Sequence, residues 1–193
     1  GRGGYYDGTG ALRDMVQNHM LQILALIAME PPATLAADAV RSQKVEVLRA
    51  LRHPLGVPGR PSLVRARYGP IGKAGDGEGV PREMACAYLD EEGVAEDPET
   101  ETYVALRANV ENWRWSGVPF LLRHGKRMPQ RFTEVKVQFY RPPLQLFNRP
   151  ENVAPADLAR LVASGNLSRA RPNALTLRIQ PEELIELSFG VKQ

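Results

Sequence analysis

Two short stretches of this 193-residue chain carry side chains that could do chemistry, and the first is Arg13 to His19, RDMVQNH. His19 is a candidate general base, because a neutral imidazole near its ordinary pKa can accept a proton at physiological pH. On ideal α-helical geometry Asp14 lies about 140° round the helix from His19, so the two are poorly placed to pair directly but could touch one ligand. The same pattern also fits a buried histidine with one hydrogen bond and a first-turn carboxylate favoured by the helix dipole.

The second stretch is a basic turn, Arg123 to Arg127 (RHGKR), and Arg131 follows it. Gly125 permits a tight turn or a close approach of two backbones. Lys126 would act on a phosphate as a point charge and an arginine as a two-pronged donor, so the turn is a candidate phosphate clamp. A solvated basic loop has the same composition, and the pattern leaves both interpretations open.

Helices are predicted for the first part of the chain. Ala11 to Glu30 contains no Pro or Gly and is followed by Pro31-Pro32, which predicts one helix that ends there. His19 falls near the middle of its apolar stripe, so we expect His19 on the buried face. The stripe consists of Leu12, Met15, Val16, Ile23, Leu26 and Ile27. A second helix is predicted from Thr34, as its N-cap, to Leu51.

Strands are predicted for most of the remainder, from alternation of apolar and polar residues. They are Leu63–Tyr68, Tyr103–Trp113, Val118–Arg123, Thr133–Tyr140 and Asn173–Gln180. A short amphipathic helix is predicted at Pro155–Ser164, and the acidic stretch from Asp90 to Glu101 is expected to be solvated. Helices followed by strands indicate an α+β fold, with N-terminal helices packed on a large, mainly antiparallel β-sheet.

Composition argues against several classes of protein. The net charge of +3 is mild and is not concentrated in basic runs, which argues against a nucleic-acid partner. The longest apolar run, Met20 to Met29, is too short for the ~20 residues of a membrane span. Cys86 is the one cysteine and no secretory signal is seen, which favours the cytoplasm. Metal-ligand spacing and the GxGxxG and Walker A patterns are absent, so no metal or cofactor ligand is assigned.

Three longer blocks carry a family resemblance. Gly1 to Pro32 (GRGGYYDGTGALRDMVQNHMLQILALIAMEPP) closely resembles the segment of glucose-6-phosphate dehydrogenases around their catalytic histidine. Thr100 to Met128 (TETYVALRANVENWRWSGVPFLLRHGKRM) and Asn173 to Pro181 (NALTLRIQP) resemble two further blocks of the same family. The blocks occur in the family's order and at roughly its spacing, and the resemblance covers most of the chain.

The resemblance implies roles for four residues. His19 matches the proton acceptor, which removes the proton of the C1 hydroxyl of glucose 6-phosphate as hydride leaves C1 for NADP. Asp14 matches a sugar-binding residue and Lys126 a substrate-binding lysine. Arg131 lies where the family has another cationic substrate contact. The product would be 6-phosphogluconolactone, at the first step of the pentose phosphate pathway.

The resemblance also implies a domain assignment. Residues 1–193 match the C-terminal substrate-binding and oligomerisation domain, so we expect a homo-oligomer formed through the β-sheet. NADP would be bound mainly by an N-terminal coenzyme domain that this sequence lacks, and we therefore expect the chain alone to be inactive. The alternative is a non-catalytic, self-associating domain that binds a sugar phosphate.

Overall fold

The computed structural model describes residues 3–52, 62–70, 86–96, 98–141, 153–157, 160 and 172–189. The chain divides into two compact units, residues 1–128 and residues 129–193. The first unit contains the helices and an antiparallel sheet, and the second contains another antiparallel sheet. The α+β fold with antiparallel strands is thus confirmed, with the described strands divided between two sheets.

The helical part of the first unit begins earlier than predicted. Its elements are α1 (Gly3–Asp7), a π-helix (Leu12–Met20), α2 (Leu21–Ala28) and α3 (Ala37–Ala50). The predicted helix over 11–30 is confirmed as continuous helical structure, and its last part ends before the two prolines, which cannot continue it. The predicted cap of the next helix is wrong, because α3 follows Ala36 and makes no side-chain cap. The Thr34 hydroxyl instead accepts the Ala36 N–H, before the helix begins.

The π-helix changes which residues are buried. Its hydrogen bonds join residues five apart, as in the bond from the Leu21 N–H to the Val16 carbonyl. Ala11 and Val16, also five apart, are both buried, whereas Leu26 is 49% exposed. His19 is exposed, so the prediction of His19 on the buried face is wrong. The cause is the wider helical turn, which shifts every later residue relative to the 100° spacing assumed for an α-helix.

Strand β3 organises the first sheet. The strands are β1 (Leu51–Arg52), β2 (Leu63–Ala66), β3 (Tyr103–Val110) and β4 (Pro119–Gly125). Strand β4 pairs with one edge of β3 over nearly its whole length, so β1 and β2 share the other edge. Strand β3 ends at Val110, earlier than predicted, because the Asn112 side chain accepts the N–H groups of Arg114 and Trp115 and turns the chain.

Helices α2 and α3 pack on one face of this sheet. Their common core consists of Leu24, Ala28, Val47, Ala108, Val110 and Leu122. Further hydrogen bonds join the end of α2 to the turn after β3. The Trp115 indole donates to the Ala28 carbonyl at 2.9 Å, and Arg114 donates twice to Glu30, at 2.6 and 2.7 Å. The helix layer is therefore held to the sheet at its C-terminal end.

The second unit is a three-stranded antiparallel sheet in the order β5-β6-β7. The strands are β5 (Thr133–Gln138), β6 (Ala174–Gln180) and β7 (Leu184–Ser188). The sequence patterns predicted the first two of them and missed β7, whose residues are exposed on both faces. Of the predicted helix at 155–164, residues 155–157 and 160 are helical, and the others lie outside the described residues. Within the described ranges no helix has the length and apolarity of a membrane span.

A buried carboxylate holds the start of the helical layer against the sheet. Glu101 is 8% exposed, and its Oε1 accepts the Leu12 N–H at 2.7 Å while its main-chain carbonyl accepts the Ala11 N–H at 3.0 Å. Gly10 has a φ of 72°, and a Cβ there would lie 2.8 Å from Glu101 Oε1. The close approach thus requires glycine, and the expectation that the acidic stretch is solvated is wrong at Glu101.

We expect Glu101→Ala to destabilise the first unit by about 1.5–3 kcal/mol, because a buried N–H then loses a charged acceptor. Urea unfolding followed by the fluorescence of Trp113 and Trp115, both in this unit, measures the change.

Glu111→Ala is the matched control. Glu111 forms an exposed ion pair with Arg52, at 2.6 Å, and exposed pairs contribute about 1 kcal/mol or less. Equal losses in the two variants would contradict the anchoring role of Glu101.

Candidate functional site

Lys126 is positioned by the turn that ends β4. Its N–H donates to the Thr102 carbonyl at 2.9 Å, and the preceding Gly125 lies opposite Tyr103 in the sheet register. A Cβ on Gly125 would lie 2.9 Å from Tyr103 Cδ2, so the glycine is required for this close approach. The Lys126 side chain extends over the Tyr6 ring, with Nζ 4.5 Å from the ring centroid.

Arg127 anchors the same turn. It has a φ of 53°, and its guanidinium lies over the Tyr68 ring, 4.4 Å from the centroid. The guanidinium also donates to the Cys86 carbonyl at 2.8 Å and to the Glu91 carboxylate at 2.5 Å. Arg127 was one of the cations of the predicted phosphate clamp, but these contacts already engage its side chain. Within the described residues, neither Lys126 nor Arg123 of this turn forms an ion pair.

A pocket of about 310 Å³ lies beside this turn. Three tyrosines contribute to its walls, and its lining residues are Tyr6, Tyr68, Tyr88, Glu91, Thr102, Lys126 and Arg127. Burial raises the pKa of the Tyr68 and Tyr88 hydroxyls, and hydrogen bonds to Glu91 and Asp7 raise it further. These tyrosines therefore keep their protons, and their hydroxyls act as donors to the neighbouring carboxylates.

His124 faces the helical layer from β4. It lies directly opposite Val104, whose side chain packs with Val16 of the π-helix. Burial lowers the pKa of His124, and the nearby charge of Lys126 lowers it further, whereas the Asp14 carboxylate raises it and His19 lowers it. Asp14, His19 and Lys126 therefore all lie close enough to His124 to act on its charge. The structure brings together three of the four predicted site residues.

The π-helix also corrects the expected arrangement of Asp14 and His19. Residues five apart lie on nearly the same side of a helix with i→i+5 hydrogen bonds, so the predicted separation of the two side chains is wrong. Asp14 is half-buried and His19 is exposed. A ligand can therefore reach the His19 imidazole from solvent while Asp14 lies nearer the sheet.

Arg131, the fourth predicted residue, belongs to the second unit. It lines a pocket of about 380 Å³ with Gln130, Phe132, Glu134, Arg178 and Pro181. Arg178 lies 3.6 Å from Glu134, and its Nε is buried without a hydrogen-bond partner in the described part of the chain. This pocket thus offers two guanidinium groups, with one carboxylate beside them.

Three further residues of the first unit bear on the site and were not assigned a role from the sequence. Glu101 anchors the π-helix, while Tyr6 and His124 lie next to the charged residues. His124 is a neighbour of Lys126 in the basic turn, and this adjacency was the one available signal. The local sequence does not distinguish Tyr6 from Tyr5, because the burial of Tyr6 and the exposure of Tyr5 depend on the tertiary fold.

The described residues do not provide a nicotinamide coenzyme site of the usual kind. Such a site requires a strand that leads through a glycine-rich turn into a helix. In the described ranges, α1, the π-helix, α2 and α3 all precede β1, and no strand continues into a helix of this type. No group of three or more His, Cys, Asp or Glu side chains there is arranged to hold a metal ion.

The chain is similar to known proteins along its whole length. The family model described as glucose-6-phosphate dehydrogenase, C-terminal domain, matches residues 1–193. The glucose-6-phosphate 1-dehydrogenase of Zymomonas mobilis is 45% identical over 193 residues, which are 100% of this chain and 35% of that protein. The crystal structure of the glucose-6-phosphate 1-dehydrogenase of Mycobacterium avium is 38% identical with a TM-score of 0.73, over 100% of this chain and 34% of that one.

A second solved structure is a glucose-6-phosphate dehydrogenase in complex with its substrate glucose-6-phosphate. It is 32% identical with a TM-score of 0.73, over 100% of this chain and 34% of that chain. The chain spans about a third of the length of the curated relatives that it matches. The family resemblance expected from the sequence is confirmed, and the chain belongs to the family of glucose-6-phosphate dehydrogenase C-terminal domains.

Proposed function

We propose that the full-length protein is a glucose-6-phosphate 1-dehydrogenase and that this chain binds the sugar phosphate and supplies the base. The observation that carries the proposal is that the π-helix bearing Asp14 and His19 packs against β4, whose closing turn carries Lys126, in a chain of this family. An imidazole, a carboxylate and an ammonium group are the three groups that deprotonation and binding of a phosphosugar require.

His19 is the proposed general base. Its imidazole accepts the proton of the C1 hydroxyl, and the C1–O single bond becomes a carbonyl as the C1–H electron pair leaves as hydride. A nicotinamide coenzyme held outside the described residues would supply the hydride acceptor, and the product would be 6-phosphogluconolactone. The exposure of His19 supports this role, because a base must be within hydrogen-bond reach of the proton that it removes.

Asp14, Lys126 and Arg131 are the proposed substrate ligands. The Asp14 carboxylate accepts hydrogen bonds from sugar hydroxyls, and Lys126 is proposed to bind the anionic end of the substrate. Arg131 is proposed as a further cationic substrate contact on the family resemblance alone. Lys126 now lies over the Tyr6 ring, and a cation–π contact of about 0.5–2 kcal/mol is weak enough to exchange for a charge-assisted bond to phosphate. Gly125 and Arg127 support this role because their contacts fix the turn that carries the lysine.

The proposed coenzyme is NADP, held mainly by parts of the full-length protein outside this chain. The described residues lack the strand–turn–helix unit that binds a dinucleotide, so this chain alone would bind the sugar phosphate without turning it over. We further propose a cytoplasmic enzyme of the pentose phosphate pathway.

We also propose that the protein self-associates through the sheet of the second unit, with a second copy as the partner. Strand β7 is an edge strand in the described sheet, and it presents Ile185 at 77% exposure and Leu187 at 58%. Phe189, just beyond it, is 62% exposed. An exposed apolar edge strand readily pairs with another chain, and a second copy offers an identical edge.

A non-catalytic, self-associating domain that binds a sugar phosphate remains the second candidate. The exposed β7 strand favours self-association in both cases. The two candidates differ only in the requirement for a base, so substitution of His19 distinguishes them.

We expect His19→Asn in the full-length protein to lower kcat/KM for glucose 6-phosphate by about 10²–10⁴-fold, because asparagine cannot accept the C1 hydroxyl proton. Steady-state formation of reduced coenzyme measures this effect. Asn18→Ala, which changes the exposed neighbouring residue, is the matched control and should retain activity.

A kcat/KM within tenfold of wild type for His19→Asn would reject His19 as the base. Unmeasurable turnover by the wild-type protein, together with retained binding of glucose 6-phosphate, would favour the non-catalytic candidate.

We expect Ile185→Asp to shift the protein toward monomer, because it places a charge on the apolar edge strand. Sedimentation velocity measures the shift, and Leu35→Asp is the control, since Leu35 is an even more exposed apolar residue, in the first unit. A wild-type protein that is monomeric at all concentrations would contradict the proposed self-association.

A further inference from the structure

Two polar atoms are buried without a partner beside the proposed site. They are the Tyr6 hydroxyl and Nε2 of His124, and the described residues provide neither with a hydrogen bond. Buried polar groups in native proteins are nearly always paired, so an unpaired one points to a role that this state of the protein does not show.

Both atoms lie under the π-helix. Tyr6 packs in the core cluster that contains Val16 and Val104, and His124 lies directly opposite Val104 on the adjacent strand. Lys126 Nζ, which acts on the charge of His124, is 4.5 Å from the Tyr6 ring centroid. The two orphaned groups therefore approach the same stretch of helix from the sheet side.

Asp14 is the carboxylate on that stretch of helix. Burial raises the pKa of the Tyr6 hydroxyl, and the Asp14 charge raises it further, ahead of Glu101 and Tyr88. Burial and Lys126 lower the pKa of His124, while Asp14 raises it and His19 lowers it. The π-helix that carries Asp14 packs against β4, the strand of His124. Asp14 is thus an electrostatic neighbour of both the Tyr6 hydroxyl and the His124 ring, and within the described residues its carboxylate has no hydrogen-bond partner.

We propose that Tyr6 and His124 are positioning residues for Asp14, each donating a hydrogen bond to its carboxylate when the sugar phosphate is bound. An ionised carboxylate accepts about four hydrogen bonds, so two buried donors leave capacity for sugar hydroxyls. The donors fix the direction of the carboxylate and do not touch the reacting atoms. The inference rests on the proposed role of Asp14 as a sugar ligand.

The first test is kinetic and uses the full-length protein. Tyr6→Phe removes only the hydroxyl, and we expect it to lower kcat/KM for glucose 6-phosphate by about fivefold to tenfold, mainly through KM. Tyr5→Phe is the matched control, because Tyr5 is adjacent and 71% exposed. His124→Leu should give a similar loss, and His124→Gln, which keeps an N–H donor, should restore most of it.

A double-mutant cycle separates positioning from general destabilisation. In the Asp14→Asn background, Tyr6→Phe and His124→Leu should each have little further effect, because the group that they position is already altered. Full additivity in the cycle would overturn the proposal, even if each single variant lowered the activity.

The second test does not depend on turnover. The protein is isotopically labelled at histidine, and the NMR resonance of His124 is assigned from its loss in His124→Gln. The titration midpoint of that imidazole is then measured with and without glucose 6-phosphate. Asp14→Asn should lower the midpoint, because it removes the charge that favours the protonated ring, and Asn18→Ala should not change it. An unchanged midpoint in Asp14→Asn would overturn the proposal.

The two tests also separate this inference from the proposed function. An inactive wild-type protein with a midpoint that depends on Asp14 would reject the dehydrogenase and retain the Asp14–His124 pairing. An active protein with an additive cycle and an unchanged midpoint would retain the dehydrogenase and reject the pairing.

Discussion

The bond between the Glu101 carboxylate and the start of the π-helix is the constraint on which the rest of the first unit depends. Glu101 lies two residues before the central strand, β3, and its side chain accepts the Leu12 N–H while its main-chain carbonyl accepts that of Ala11. Gly10 allows the close approach. Because Glu101 joins β3 to the helix, and β3 pairs residue by residue with β4, this contact sets the position of Asp14 and His19 relative to Lys126.

Two cations of the basic turn, Arg127 and Lys126, differ in their contacts. Arg127 is occupied by Cys86, Glu91 and Tyr68, so it stabilises the turn. Within the described residues the Lys126 ammonium lies over the Tyr6 ring without an ion pair, and this is the contact that the proposed phosphate bond would replace. Because the turn is already ordered, a bound ligand would have to order only the Lys126 side chain, which limits the loss of conformational entropy on binding. On the π-helix, Asp14 is half-buried and His19 is exposed. Because the two residues are five apart in a helix with i→i+5 bonds, the Asp14 carboxylate and the accessible His19 imidazole lie on nearly the same side of it.

Local patterns predicted the α+β fold and most helices and strands, because the apolar periodicities and the Pro and Gly interruptions are strong. The π-helix could not be predicted in this way, since RDMVQNH has ordinary helical composition and nothing in it distinguishes i→i+5 from i→i+4 bonds. That error placed His19 on the buried face. Strand β7 was missed because Leu184 to Ser188 is exposed on both faces and lacks a clean alternation. The family resemblance, rather than the periodicity, identified Asp14, His19 and Lys126 as a group.

The role of His19 is tested most directly by the distance from one of its ring nitrogens to the C1 oxygen in a crystal structure of the full-length protein bound to glucose 6-phosphate. We expect a hydrogen-bond distance of about 2.6–3.2 Å, with the phosphate on Lys126 and a sugar hydroxyl on Asp14. A sugar phosphate bound away from the helix that Glu101 anchors, with His19 and Lys126 both free of it, would contradict the central claim.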